Sequence, residues 1–386
     1  MSALPGEATR PGRSALRTLV VSDLHLGTHA GTDVLRDRRV RAPLLAALRD
    51  CDRLVLLGDV LELRHGPLHE ALGAAREPLG EIGAALGPEG EVVLLAGNHD
   101  HYLVHPWSQR RAGDGPPPAL DSETAVDWVA GDPLAALAAM LAPARVRAAY
   151  PGVWLRADVW ASHGHYLDVH MTVPSIERLG AGAMRRVVST PGTGPHPPPA
   201  AAEDYEAILT PIYAWLHAVA QGAAPGRGRG LQSGSVRGWQ ALTGPRGGRG
   251  IRGRAIAAAY PLVIAALNRA GLGPLRAEVS GPALRRSGLR GMGEVCAALG
   301  VSAPYVIFGH THRAGPLPGN DPAEWVTARG SHLINSGSWV HEAAFMGPDA
   351  SQSPYRTGFC IVVEDTDPPA PPRLVNLLDP DRPDLG

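Results

Sequence analysis

The chain contains 386 residues with a formal net charge of −1, and 44% of the residues are hydrophobic, which excludes a largely disordered protein. All 36 basic residues are arginines, so reactions that need a lysine, such as Schiff-base formation or phosphate binding by a P-loop, are excluded. Three widely spaced cysteines exclude a disulfide-rich scaffold, and the length predicts two domains or one large domain with an insertion.

The first hundred residues alternate between strand and helix patterns. Apolar runs at 19–21, 54–57 and 92–96 predict buried parallel strands, and the segments 43–48 and 68–86 between them predict helices. This alternation favours a parallel sheet covered by helices, and therefore an α/β fold.

Each predicted strand ends in polar residues. The first three are followed by Ser22–His25, Gly58–Asp59 and Gly97–Asp100. Two later runs, at 153–161 and 305–308, also predict strands and are followed by Ser162–His165 and Gly309–His312. Ligands bind at the carboxyl ends of strands in such sheets, so we expect these clusters to converge on one site. The last predicted strands lie within 333–339, 359–363 and 373–378.

Residues 166–295 interrupt the strand pattern. They predict a mainly helical, Arg/Gly-rich insertion, with 17–165 and 296–378 as the core, 1–16 as a flexible N-terminus and 379–386 as a tail. Within the insertion, Ile208, Ile212, Trp215 and Val219 recur on one face of a predicted helix.

The insertion is strongly basic: nine arginines and no acidic residue lie between Glu206 and Glu278. Residues 226–254 fit either a solvated linker or a lid that gathers a phosphorylated small-molecule or lipid-like substrate. Anionic membrane lipid and nucleic acid are further alternatives, although Trp239 is the sole aromatic side chain there for stacking on bases.

Two features of the sequence bear on its location. The first 17 residues lack the apolar run of a signal peptide, and the longest apolar run, 255–267, is too short to span a membrane. We therefore expect a cytoplasmic protein without a transmembrane segment, with peripheral membrane contact as an alternative.

The strand-end clusters contain a set of residues that suits metal binding. These are four histidines, two aspartates and one asparagine: Asp23, His25, Asp59, Asn98, His163, His310 and His312. Imidazole and carboxylate together favour Mn, Fe or Zn over Ca. Two such ions, bridged by Asp59, can clamp the attacking and leaving oxygens of a phosphoryl group, and a metal-bound hydroxide can attack phosphorus. The set therefore predicts a dinuclear, metal-dependent phosphoesterase.

His99 directly follows the predicted ligand Asn98. A histidine beside the metals can protonate the leaving group as a general acid, and it needs a carboxylate to orient it. Glu62 and Asp100 are the candidates, and we favour Glu62 because it lies in the loop after the neighbouring strand.

The chain resembles the calcineurin-like metallophosphoesterases over roughly 17–165 and 300–378. The resemblance rests on Asp23-Leu24-His25, Gly58-Asp59-Val60-Leu61-Glu62, Gly97-Asn98-His99-Asp100, His163-Gly164-His165 and Gly309-His310-Thr311-His312. It implies a sandwich of two mixed β-sheets flanked by helices, with the metals at its edge. It also implies that one metal is held by Asp23, His25 and His312 and the other by Asn98, His163 and His310, with Asp59 bridging them.

Within that family, Ser22–Gly27 and the helical insertion are similar to the bacterial UDP-2,3-diacylglucosamine pyrophosphatases, which cleave a pyrophosphate on a lipid precursor under a helical lid. Those enzymes typically have arginine at the position of His99, and their insertion is shorter. His99 favours instead an ester with a poor leaving group. Hydrolysis of a nucleotide-linked lipid precursor and nuclease action through the basic insertion stay as alternatives.

Overall fold

The computed structural model describes residues 15–115, 117–173, 176–188, 198–222, 261–276, 278, 280–343, 345–347 and 349–379. The predictions for 226–254 and for most of the two termini lie outside the described residues.

A seven-stranded mixed sheet forms the first half of the core. Its order is β11-β10-β1-β2-β3-β5-β4, in which β1 to β3 and β5 are parallel and the other three strands are antiparallel to their neighbours. The strands are β1 (Arg17–Val21), β2 (Arg53–Leu57), β3 (Glu91–Leu95), β4 (Thr124–Val126), β5 (Arg145–Tyr150), β10 (Phe359–Glu364) and β11 (Arg373–Asn376).

A four-stranded mixed sheet forms the second half, in the order β6-β7-β8-β9. Its strands are β6 (Gly152–Arg156), β7 (Val159–Ser162), β8 (Tyr305–Phe308) and β9 (His332–Asn335). The sequence predicted one strand over 153–161, but the chain turns there, and β6 and β7 form an antiparallel hairpin. Arg156 holds the turn through its Nε, 2.5 Å from Asp158 Oδ1.

Helices cover the outer faces of both sheets. They are α1 (Arg38–Leu48), α2 (Leu68–Leu86), α3 (His105–Ala112), α4 (Pro133–Met140), α5 (Ile176–Val188), α6 (Ala202–Gly222) and α7 (Gly281–Ala298), and residues 261–269 are also helical. Ser280 begins α7 as its N-cap, because its side chain accepts a hydrogen bond from the Ala283 N–H.

The two sheets pack face to face, and apolar side chains form the core between them. Buried Val20, Val55 and Val93 of the larger sheet pack with Ala161 and Ile307 of the smaller one. Strands that are buried on both faces read as continuous apolar runs, which explains why their positions could be predicted. The expected sandwich of two mixed sheets flanked by helices is confirmed.

The predicted insertion is helical over most of its described part. Its last helix, α7, crosses the predicted boundary between residues 295 and 296 and packs Met292 and Cys296 against Leu167 and Phe308. The division into core and insertion stays a prediction. Among the residues with a described position, no helix is long and apolar enough to cross a membrane.

Candidate active site

The site lies where the carboxyl ends of the parallel strands of both sheets meet. Loops after β1, β2 and β3 carry Asp23 and His25, then Asp59, then Asn98; the loops after β7 and β8 carry His163, His310 and His312. Backbone hydrogen bonds join the first two loops, since the N–H groups of Asp23 and His25 donate to the carbonyls of Gly58 and Asp59. All seven predicted ligands are brought to this one edge.

The backbone is strained at these positions. Among the described residues other than glycine, positive φ angles occur at Asp23, His25, Asp59, His310 and His312, with values from 45° to 65°. All five belong to the predicted ligand set. Each such residue costs about 1–3 kcal/mol, and such strain clusters at functional sites, so the fold holds these side chains in place at a cost in stability.

One group of potential ligand atoms comes from Asp23, His25 and His312, and these atoms lie within 4.8 Å of one another. His25 Nε2 lies 3.2 Å from His312 Nε2 and 3.6 Å from Asp59 Oδ2. His312 Nε2 lies 3.2 Å from Asp23 Oδ1, a buried oxygen for which the described residues supply no hydrogen-bond donor.

A second group is formed by Asp59, Asn98, His163 and His310. Asn98 Oδ1 lies 3.2 Å from His163 Nε2 and 3.0 Å from His310 Nδ1, and His163 Nε2 lies 3.3 Å from Asp59 Oδ2. Asp59 therefore approaches ring nitrogens of both groups, which is the position that a bridging ligand needs.

The ring tautomers show that these groups suit cations. His163 Nδ1 donates to the Leu57 carbonyl at 2.9 Å, and His25 Nδ1 donates to Glu62 Oε2 at 3.0 Å. When the ring is neutral, its Nε2 atom therefore presents a lone pair to the other acceptors of the site. Acceptors that face one another repel unless positive charge lies between them, so this donor set fits metal ions.

The pKa values reflect the same demand for positive charge. Burial lowers the pKa of His163, but Asp59 and Asp23 outweigh burial and raise it to about 9. Burial likewise opposes protonation of His312, yet Asp23 raises the pKa of that ring well above its ordinary value. Divalent ions at these positions would satisfy the carboxylates in place of protons.

His99 contacts the predicted orienting carboxylate. His99 Nδ1 lies 2.8 Å from Glu62 Oε2, the same oxygen that His25 contacts, and the other oxygen of Glu62 accepts from the Arg64 N–H at 2.9 Å. Burial lowers the pKa of His99 to about 4, with Glu62 opposing and Arg64 adding to this shift. A proton on Nε2 therefore needs a negative charge beside it, which an anionic substrate carries.

Asp100 is placed differently from Glu62. Its two carboxylate oxygens accept backbone N–H groups of Gly97, Asp59, Val60 and Leu61 at 2.7 to 3.3 Å. The carboxylate thus ties the loop after β3 to the loop after β2. Of the two candidates for orienting His99, Glu62 is the one whose carboxylate reaches its ring.

Two glycines of the motifs allow the loops to approach the ligands. A Cβ atom on Gly97 would lie 2.2 Å from Asp59 Oδ1 and 2.7 Å from His163 Nε2. A Cβ atom on Gly309 would lie 2.6 Å from Asp23 Oδ2. Both distances are too short for any side chain, so glycine is required at these two positions.

Two carboxylates that the sequence did not single out contact the outer nitrogens of candidate ligands. Asp168 Oδ1 lies 3.0 Å from His310 Nε2, and Glu342 Oε2 lies 3.6 Å from His312 Nδ1. Neither belongs to a motif, and no local pattern marks them. Arg64 was also missed, although its position two residues after Glu62 was a signal: its Nη2 donates to the Asn98 carbonyl at 2.9 Å.

His165, the second histidine of the His163-Gly164-His165 motif, lies in a buried polar cluster beneath α6. Its Nε2 lies 3.1 Å from the Tyr150 hydroxyl, and burial lowers its pKa well below the ordinary value. The Glu206 carboxylate of α6 accepts from the hydroxyls of Tyr150 and Tyr166, each at 2.5 Å, and lies 3.2 Å from His101 Nε2. This cluster connects the predicted insertion to the loops of the site.

Two solved structures that are similar to this chain have low sequence identity to it. No curated protein matches the chain. Among solved structures, Pseudomonas putida nuclease MPE is 23% identical over 38% of this chain, with a TM-score of 0.21, and this chain spans 53% of its length. A dimetal phosphatase from Danio rerio is 10% identical, with a TM-score of 0.30, and 94% of this chain and 99% of that chain are covered.

A model of the calcineurin-like phosphoesterase family matches residues 16–219, which is more than half of the chain and includes the first four of the five motifs. That family depends on two metal ions, and its members hydrolyse phosphoric esters. The chain is therefore a phosphoesterase and belongs to the calcineurin-like phosphoesterase family.

Proposed function

We propose that the enzyme hydrolyses a phosphate ester at a dinuclear metal site in which Asp59 is the shared ligand. One metal is held by Asp23, His25 and His312, and the other by Asn98, His163 and His310. The observation that carries this proposal is the convergence of ring nitrogens from both groups on Asp59 Oδ2, at 3.6 Å from His25 and 3.3 Å from His163.

Two divalent ions bound at these positions supply Lewis acidity toward the phosphoryl oxygens and a nucleophile derived from water at neutral pH. Manganese is our first expectation for both ions, with iron or zinc as alternatives, because the donors combine imidazole, carboxylate and amide oxygen. We expect the substrate to be a phosphorylated small molecule or a lipid-like phosphoester, and the enzyme to act in the cytoplasm.

The protein itself provides the proton for the leaving group. Glu62 accepts the Nδ1–H of His99 at 2.8 Å, so the ring is held with Nε2 as the atom that can face the leaving oxygen. General-acid catalysis of this kind contributes about 10²- to 10⁴-fold. Asp100 acts as a positioning residue, because both of its oxygens hold backbone N–H groups of the site loops.

The proposal is tested by hydrolysis of p-nitrophenyl phosphate and bis-p-nitrophenyl phosphate, with Mn²⁺ and with a chelator, alongside elemental analysis. We expect turnover that needs Mn²⁺ and about two metal ions per chain. The preferred ester separates monoesterase from diesterase action. Two bound metals without turnover of either ester would favour the alternative, a pyrophosphatase acting on a nucleotide-linked lipid precursor. Absence of both metal and turnover would contradict the proposal.

The salt dependence of nucleic-acid binding distinguishes a nuclease-type phosphodiesterase from the proposed enzyme. Phosphate contacts made by an arginine-rich segment would give an affinity for DNA or RNA that falls steeply as salt rises. We expect no such binding. A gel shift that weakens with salt, together with turnover of the bound strand, would favour the nuclease instead.

A further inference from the structure

Arg64 lies beside Nε2 of His99, the ring nitrogen that the proposed mechanism turns toward the substrate. Its Nη1 is 3.4 Å from His99 Nε2, and its Nη2 donates to the Asn98 carbonyl at 2.9 Å. The guanidinium also lies over the ring of Tyr213 in α6, 5.3 Å from the ring centre. The cation is therefore held between the loop after β3 and a helix of the predicted insertion.

The position of the Arg64 guanidinium determines which part of the substrate it would contact during the reaction. In the hydrolysis, a water molecule gives up a proton to solvent and its oxygen forms a new bond to phosphorus, while the bond to the leaving oxygen breaks. The leaving oxygen keeps the electron pair of that bond and takes the proton of His99 Nε2. Because Arg64 Nη1 lies 3.4 Å from this nitrogen, a group departing past Nε2 comes within contact distance of the guanidinium.

We infer that Arg64 binds the leaving group and selects esters whose leaving group carries its own negative charge close to the ester oxygen. This inference rests on the proposed function, since it uses His99 Nε2 as the atom that faces the leaving oxygen. A planar guanidinium pairs well with a carboxylate or a second phosphate, whereas a neutral alcohol offers it no opposite charge.

The backbone around Arg64 supports a substrate-binding role. The Arg64 N–H donates to Glu62 Oε1, so the carboxylate that orients His99 also fixes the main chain from which Arg64 extends. The Glu62 carboxylate thus positions both the proton donor, His99, and the main chain of Arg64. Tyr213 gives the guanidinium an aromatic face to rest on, which restricts it to this side of the site.

The test compares two alkyl phosphates that differ in the charge of the leaving group alone, phosphoglycolate and its carboxamide, together with their P-methyl diesters. For the Mn²⁺-loaded enzyme we expect a higher kcat/KM for the carboxylate of each pair. In Arg64→Gln the preference should fall about 10- to 100-fold, the range for a hydrogen bond to a charged group, because kcat/KM should fall further for the carboxylate than for the carboxamide. Arg64→Lys keeps the charge and should retain part of the preference.

Metal content and thermal stability are measured for each variant, and Arg64→Lys serves if Arg64→Gln does not fold. A purely structural arginine would lower kcat/KM for both members of a pair by the same factor. An unchanged preference in a folded, metal-loaded Arg64 variant, or no preference in the wild type, would overturn the inference. Turnover of none of these esters, nor of the p-nitrophenyl esters, would instead contradict the proposed function.

Discussion

Replacement of Glu62 by glutamine tests the centre of the proposed mechanism, because this side chain serves two histidines at once. Its Oε2 accepts from His25 Nδ1 at 3.0 Å and from His99 Nδ1 at 2.8 Å, while Oε1 accepts the Arg64 N–H. All three partners are donors. An amide offers one acceptor oxygen, so Glu62→Gln places its NH₂ group against at least one donor.

The size of the effect follows from burial and charge. Glu62 is 1% exposed, and although burial raises its pKa, His99 and His25 hold that pKa well below the ordinary value, so the carboxylate is ionised. A hydrogen bond to a buried charged group contributes about 1.5–3 kcal/mol, or about 10- to 100-fold for each histidine. We therefore expect weaker metal binding through His25 and slower protonation of the leaving group through His99.

The two effects are separated by two control variants. Glu342 lies 3.6 Å from His312 Nδ1 and interacts with His99 through charge alone among the described contacts, so Glu342→Gln should weaken metal binding and change the dependence on leaving group less than Glu62→Gln does. His99→Ala should change the dependence on the leaving group without weakening metal binding. Rates are measured at saturating Mn²⁺ with an alkyl and a p-nitrophenyl ester, and metal affinity is measured by competition with a chelator.

The expected pattern is specific. At saturating metal, Glu62→Gln and His99→Ala should both lose more activity toward the alkyl ester than toward the p-nitrophenyl ester, because p-nitrophenolate needs less protonation as it leaves. Equal losses on both esters in Glu62→Gln, with full metal occupancy, would refute the orienting role of Glu62.

Three further predictions follow from the same geometry. Asp59→Asn should lower metal content and reduce hydrolysis at least about 100-fold; an unchanged metal content would refute the bridging role. Gly97→Ala should abolish metal-dependent activity because its Cβ would lie 2.2 Å from Asp59 Oδ1, whereas Gly73→Ala, with open space around its Cβ in α2, should keep full activity. Glu206→Gln should lower the free energy of unfolding in urea by about 1.5–3 kcal/mol, because a partly buried carboxylate oxygen that accepts hydrogen bonds is lost. Burial raises the pKa of Glu206, but His101 and the hydrogen bonds lower it below the ordinary value, so this difference should be present at neutral pH and shrink as the pH falls.

The seven ligands could be predicted because residue type and local position coincide in them. Each follows a short apolar run, and the carboxyl ends of parallel strands must share an edge. The carboxylates that contact the outer ring nitrogens of the histidine ligands could not be predicted in this way. Asp168 meets His310 across 142 positions of sequence, from the 3₁₀ helix His165–Val169 and not from a strand-end cluster, so only the packed structure brings the two together.

Prediction from the sequence was limited in the same way at the less regular strands of the fold. Buried strands such as β1 and β2 are continuous apolar runs, whereas β5 reads Arg-Val-Arg-Ala-Ala-Tyr and is exposed at its start, so hydropathy gave no clear signal. The single strand predicted over 153–161 is a hairpin because Ala157 and Asp158 form a turn, and the ion pair of Arg156 with Asp158 was the missed polar signal.

The contacts of α6 bear on how the predicted insertion relates to catalysis. Glu206 of α6 receives the Tyr150 hydroxyl, which also meets His165, and it pairs with His101, which lies two residues after His99. A helix that only covered the site from outside would not need a partly buried carboxylate that contacts His101, which follows the β3 loop, and Tyr166, which follows the β7 loop. Since the ring of Tyr213, on the same helix, also supports Arg64, α6 forms a wall of the site itself. Differences in this helix would therefore change which leaving group the site accepts, while the strand ends keep the metal ligands in place.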